Sequence, residues 1–81
     1  MNMIYNSPTY CVVEFGAING NVRGYEIMDK MARREIYLEG SLAMQFKHQV
    51  QKLISAEPSI EEIDDFLSKF NDMMQQPLTL H

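Results

Sequence analysis

Three sets of residues in this 81-residue chain have the chemistry to make a site. The first is Glu61, Glu62, Asp64 and Asp65, carboxylates of the kind that hold divalent cations or transfer protons. Their spacing argues otherwise, because neighbours on a helix diverge by about 100°. A first helical turn also accounts for them without a ligand, since acids there suit the positive end of the helix dipole. No calcium-loop pattern and no phosphate-cradling glycine motif occurs, and neither His48 nor His81 has a second ligand at a metal-binding spacing. No metal, cofactor or catalytic residue is therefore expected.

The second set is Cys11 with His48. A cysteine nucleophile needs an activating base, whereas the place of Cys11 among Val12, Val13 and Phe15 suits an inert buried thiol. The chain does not read as an enzyme. The third set is Lys30, Arg33 and Arg34, which a projecting turn could offer to phosphate or to an acidic protein surface. Asp29, Glu35 and Glu39 offset these cations, and no basic stripe interleaved with aromatics accompanies them.

Composition sets the frame for these residues. An apolar fraction of 46% and a charged fraction of 22% are those of a soluble globular domain rather than a disordered or disulfide-built chain. One domain over residues 1–81 is expected, and a chain of this size buries only about 60–65% of its unfolded surface. Dimerisation is an ordinary remedy for so thin a core. Cys11 is the single cysteine, so no internal disulfide can form and a reducing cytoplasm is the default location. The start MNMIYNSPTY has neither a basic nor an apolar leader region, and no window approaches a membrane span. A net charge of −4 disfavours non-specific binding to nucleic acid or anionic membranes. The charge is polarised: all seven Lys and Arg except Lys69 lie between Arg23 and Lys52, while acids gather from Glu57 onward.

The period of the apolar residues assigns the elements. Tyr10–Phe15 is β-branched and aromatic, follows the turn cluster Asn6-Ser7-Pro8, and reads as a strand. Asn19-Gly20 is a favoured hairpin pair, and a second strand over Gly24–Asp29 should return antiparallel. A four-residue loop, Lys30 to Arg33, then leads into a third strand. It sets Asp29 opposite Arg34, Ile27 opposite Ile36, Tyr25 opposite Leu38, Met28 opposite Glu35 and Glu26 opposite Tyr37. Tyr25, Ile27, Ile36 and Leu38 form the core face. For the first strand, an ideal two-residue turn pairs Val12 with Ile27. Placing Cys11, Val13 and Phe15 on the core face instead requires an odd loop or a bulge, and that arrangement is preferred. It leaves Tyr10, Val12, Met28 and Tyr37 as an apolar patch on the outer face.

After Gly40 the period becomes helical. Leu42, Phe46, Val50, Leu53 and Ile54 recur at steps of three and four, predicting a helix from Ser41 to about Ala56. Ser59-Ile-Glu-Glu62 has capping-box spacing, with Ser59 as N-cap. A second helix follows with the stripe Ile60, Ile63, Phe66, Leu67, Phe70 and Met73. The expected fold is α+β: a three-stranded antiparallel β-meander, then an antiparallel pair of helices packed on one sheet face, β-β-β-α-α. Residues 1–8 and 75–81 are either flexible ends or additions to the sheet edges.

The segments MNMIYNSPTYCVVEF, GYEIMDK, ARREIYLEG and MQQPLTLH together resemble a family of short beta-proteobacterial proteins, a domain of unknown function marked by a YEI-x-DK motif. Tyr25, Glu26, Ile27, Asp29 and Lys30 match that motif; Met31 stands where the family pattern leads one to expect Asn. The resemblance brings no activity, ligand or site residue.

Without catalytic or cofactor motifs, the expected function is a non-enzymatic protein-interaction module. It is expected to pair with itself as a homodimer through the outer sheet face or an exposed edge, and to take an unknown protein partner. The alternative is a small regulator contacting nucleic acid through Lys30, Arg33 and Arg34.

Overall fold

A computed structural model of the chain describes residues 2–16, 22–73 and the backbone of 76–77. The expected turn at Asn19-Gly20 and most of the segment 75–81 lie outside the described residues. The fold is α+β, with an antiparallel sheet and two helices. Strands β1 (Asn2–Asn6), β2 (Tyr10–Phe15), β3 (Gly24–Asp29) and β4 (Arg34–Glu39) lie side by side in chain order. A two-residue strand, β5 (Gln76–Pro77), pairs with Arg34 and Glu35 on the far side of β4. Helices α1 (Ser41–Ile54) and α2 (Ile60–Ser68) follow the meander, and a short 3₁₀ turn, Asn71–Met73, follows α2.

The meander thus has four full strands rather than three. The added one is β1, which pairs with β2 from Asn2↔Glu14 to Asn6↔Cys11, with a register shift between Met3 and Tyr5. Ser7 makes the turn between them. Its backbone N–H donates to the Tyr10 carbonyl at 2.8 Å, and its hydroxyl oxygen accepts from Tyr10 N at 2.9 Å. The same oxygen accepts from Thr9 N at 3.2 Å, so it takes both N–H groups that follow Pro8, which has none of its own.

The β3–β4 hairpin takes the expected register at each of the five pairs named above, across the loop Lys30 to Arg33. Asp29 Oδ1 accepts the N–H groups of Met31 and Ala32 at 3.1 and 3.0 Å, and Arg33 adopts the left-handed region at φ 55°. The aspartate side chain therefore closes the loop.

The β2–β3 register overturns the bulged arrangement. Val12 lies opposite Ile27, Tyr10 opposite Asp29 and Glu14 opposite Tyr25, with no irregularity. Because successive side chains alternate between faces, Tyr10 and Val12 point to the helices, and Cys11, Val13 and Phe15 point away. β2 is apolar on both faces, so its pattern alone does not choose. What favours this face is its polar fit: the Tyr10 hydroxyl reaches Asn71 Oδ1 at 2.9 Å, and Glu14 Oε2 accepts from the Tyr25 hydroxyl at 3.1 Å. A buried tyrosine ring needs such a partner at its tip.

The core joins Tyr10, Val12, Tyr25, Ile27 and Leu38 of the sheet to Ala43 and Phe46 of α1 and Leu67 of α2. Phe46 is 1% exposed, and its ring lies 5.0 Å from that of Tyr25, 5.5 Å from Phe70 and 6.0 Å from Phe66. The inward line of α1 is Ala43, Phe46, Val50 and Leu53: Phe46, Val50 and Leu53 hold the expected stripe, Ala43 takes the place of Leu42, and Leu42 and Ile54 stand 50% and 57% exposed. On α2, Ser59 caps as expected: its hydroxyl oxygen accepts Glu62 N at 3.2 Å and faces Glu62 Oε1 at 3.4 Å. Ile63, Phe66, Leu67 and Phe70 turn inward, while Ile60 and Met73 at the ends of the expected stripe are exposed.

Phe46→Ala should cost about 3–5 kcal/mol of folding stability, the usual range for a large buried ring. Leu42→Ala should cost less than about 1 kcal/mol, because its side chain is half in water already. Urea denaturation of both variants followed by circular dichroism reads the difference.

Candidate functional site

The sheet face turned away from the helices carries Met3, Cys11, Val13, Phe15, Glu26, Met28, Glu35 and Tyr37, as the pairings dictate. Among the described residues no element covers it. Cys11 and Val13 are nonetheless buried, lying between the longer side chains of their cross-strand neighbours Asn6, Met28, Met3 and Glu26. Met3 and Tyr37 are exposed, and Phe15 and Met28 are half-buried. Tyr37 lies over Gly24: a Cβ there would come within 2.6 Å of both the Tyr37 ring and the Leu38 carbonyl oxygen. The absence of a side chain at Gly24 thus lets the ring reach Phe15, which it meets edge-on at 5.8 Å. Of the expected patch Tyr10, Val12, Met28 and Tyr37, only Met28 and Tyr37 are on this face. Tyr10 and Val12 are 4% and 2% exposed under the helices.

The basic turn divides in the same way. Lys30 Nζ donates to Asn6 Oδ1 and, at 2.8 Å, to the Ser7 carbonyl, tying the tip of one hairpin to the corner of the other. Arg33 and Arg34 are exposed. Between Lys30 and Arg33 stands Met31, 78% exposed.

The residues that could have made a catalytic or metal site are not brought together. Cys11 is on the outer sheet face and His48 is exposed on α1, across the sheet from it. Burial pushes the Cys11 thiol up, Glu26 adds to the shift, and Lys30 partly offsets it; the thiolate is disfavoured. Among the described residues no group of His, Cys, Asp and Glu is placed to hold a metal ion. Asp64 has instead a structural role: its Oδ1 accepts the Tyr5 hydroxyl at 2.8 Å and the Ser7 hydroxyl at 2.9 Å, fastening the β1–β2 corner to α2.

Beside that node, sequence reasoning missed an apolar cleft of about 90 Å³, open to solvent between β1 and the two helices. Ile4, Tyr5, Val50, Leu53, Ile54 and Ile63 line it. The signal for it was faint, since it depends on β1 as a strand and on the actual facing of α1.

A family model described as a protein of unknown function, DUF3567, matches residues 1–81. The chain belongs to this family. A DUF3567 chain of such length also has a full-length relative, Protein BTH_I0359 of Burkholderia thailandensis, 54% identical over 85 residues that cover all of both chains. No solved structure matches it. No helix among the described residues of this DUF3567 protein is long and apolar enough to cross a membrane.

The tyrosines of the helix-covered side give the site a pH signature. Burial, and then the hydrogen bond to Glu14, pushes Tyr25 up to about 12; burial also raises Tyr5 and Tyr10. A phenol whose folded pKa exceeds its unfolded value of about 10 contributes stability that is intact below pH 10 and lost as pH rises towards 12. Urea midpoints should therefore fall across that window, and Tyr25→Phe should flatten the fall.

Proposed function

We propose that this DUF3567 protein is a non-enzymatic protein-interaction module that associates with a second copy of itself through the outer sheet face. The observation that carries this reading is the uncovered side of the sheet, where Met3 and Tyr37 are exposed beside Phe15 and Met28. An apolar sheet face gains by being removed from water. In so short a chain, pairing also adds core that one copy lacks. A twofold arrangement would set the same patch against itself, as closed dimers do.

Light scattering at high micromolar protein should give the mass of an assembly for the wild type. Tyr37→Glu should shift the mass towards monomer with an unchanged circular dichroism spectrum, because the side chain is outside the core. A monomeric wild type at that concentration would exclude the reading.

A second reading has the exposed Arg33 and Arg34, with Lys30, contact nucleic acid. The acidic balance of −4 weighs against it. It requires retention of the protein on DNA or RNA at low salt, weakened by Arg33→Glu and Arg34→Glu. Passage of the wild type without retention would remove it.

A further inference from the structure

The cleft and the hairpin tip have matching chemistry. The cleft is lined by apolar side chains apart from the Tyr5 hydroxyl, which is already bonded to Asp64. Two acids adjoin its lining: Asp64 is bonded to Tyr5, and exposed Glu57 follows Ile54 in the turn that ends α1. A volume of about 90 Å³ has room for the end of one unbranched side chain.

The tip supplies the converse. Met31 is 78% exposed on a turn closed by Asp29, so its side chain is turned to solvent by the loop that carries it. Turn positions of this kind ordinarily take polar or small residues. Met31 is flanked by Lys30, Arg33 and Arg34, so an apolar knob stands among cations, facing the same chemistry as an apolar hole among carboxylates. A thioether side chain adapts readily to an irregular hole.

We propose that the cleft receives the Met31 side chain of a second copy, with Arg33 and Arg34 of that tip against Glu57 and Asp64. Ser7 shows that both halves lie at one end of the molecule: its carbonyl holds Lys30, and its hydroxyl holds Asp64. A twofold axis beside that end lets each tip enter the other copy's cleft, so the contact closes at two. The proposal rests on self-association as read above and adds a contact separate from the outer face. The ionic part makes it weaker at high salt.

The test uses full-length protein with Cys11→Ala, so that each introduced cysteine is the only one. Met31→Cys protein is mixed with Ile54→Cys protein under mild copper-phenanthroline oxidation. The control partner is Met44→Cys, exposed on α1 roughly 15 Å along the helix from Ile54 at 1.5 Å per residue. A mixed disulfide that forms several-fold faster with Ile54→Cys than with Met44→Cys, and loses that advantage at high salt, supports the contact. Equal rates overturn it. Running the same pairs in a Tyr37→Glu background separates the two readings. If the outer face alone mediates pairing, Tyr37→Glu is monomeric and the rates are equal. If the tip contact exists, the advantage of Ile54→Cys survives that substitution.

Discussion

The fold depends on one ring. Phe46 is the point at which the sheet, α1 and α2 meet, through Tyr25 on one side and Phe66 and Phe70 on the other. Tilted and edge-on rings at these separations attract beyond the area they bury. The arrangement is economical in a way the chain's length demands. α2 has only nine residues, too few to persist in water on propensity and capping alone, and it is helical because Phe66, Leu67 and Phe70 are held against Phe46. The same ring fixes the rotation of α1, and so decides that Ala43, Val50 and Leu53 turn inward.

The two faces of the sheet follow different rules. On the helix side each tyrosine tip has a polar partner: Tyr5 with Asp64, Tyr10 with Asn71, Tyr25 with Glu14. These bonds fix the register of sheet against helix, because a slip of one residue would strand a phenol in apolar surroundings. On the other side the contacts are between neighbouring strands, with Tyr37 laid over Gly24 towards Phe15. That side has shape and apolar surface of its own.

Much of this was legible in the residues. GYEIMDKMARREIYLEG specifies its hairpin because Tyr25, Ile27, Ile36 and Leu38 recur at period two, so one register faces all four to the helices, and Asp29 closes the loop. Ser59 with Glu62 announced the start of α2. YCVVEF was another matter, since Tyr10, Cys11, Val12 and Val13 are all buried and alternation is then uninformative. The turn arithmetic, which pairs Val12 with Ile27, was the better guide, and the resulting face moved half of the candidate patch into the core. The N-terminal NMIYN lacks a clear period because of its register shift. The cleft joins β1 to two helices far along the chain, a contact that no local pattern encodes.

The meander has a temporal consequence. Every full strand of the sheet precedes both helices in the chain, and each pairs with its immediate predecessor, the kind of local connection that forms early and fast. On a ribosome the sheet is thus complete while the helices are still unmade, with Val12, Ile27 and Leu38 open to water on one side. The nascent chain passes through an interval in which it is apolar on both faces, and that interval ends only when Phe46 and the residues after it have emerged.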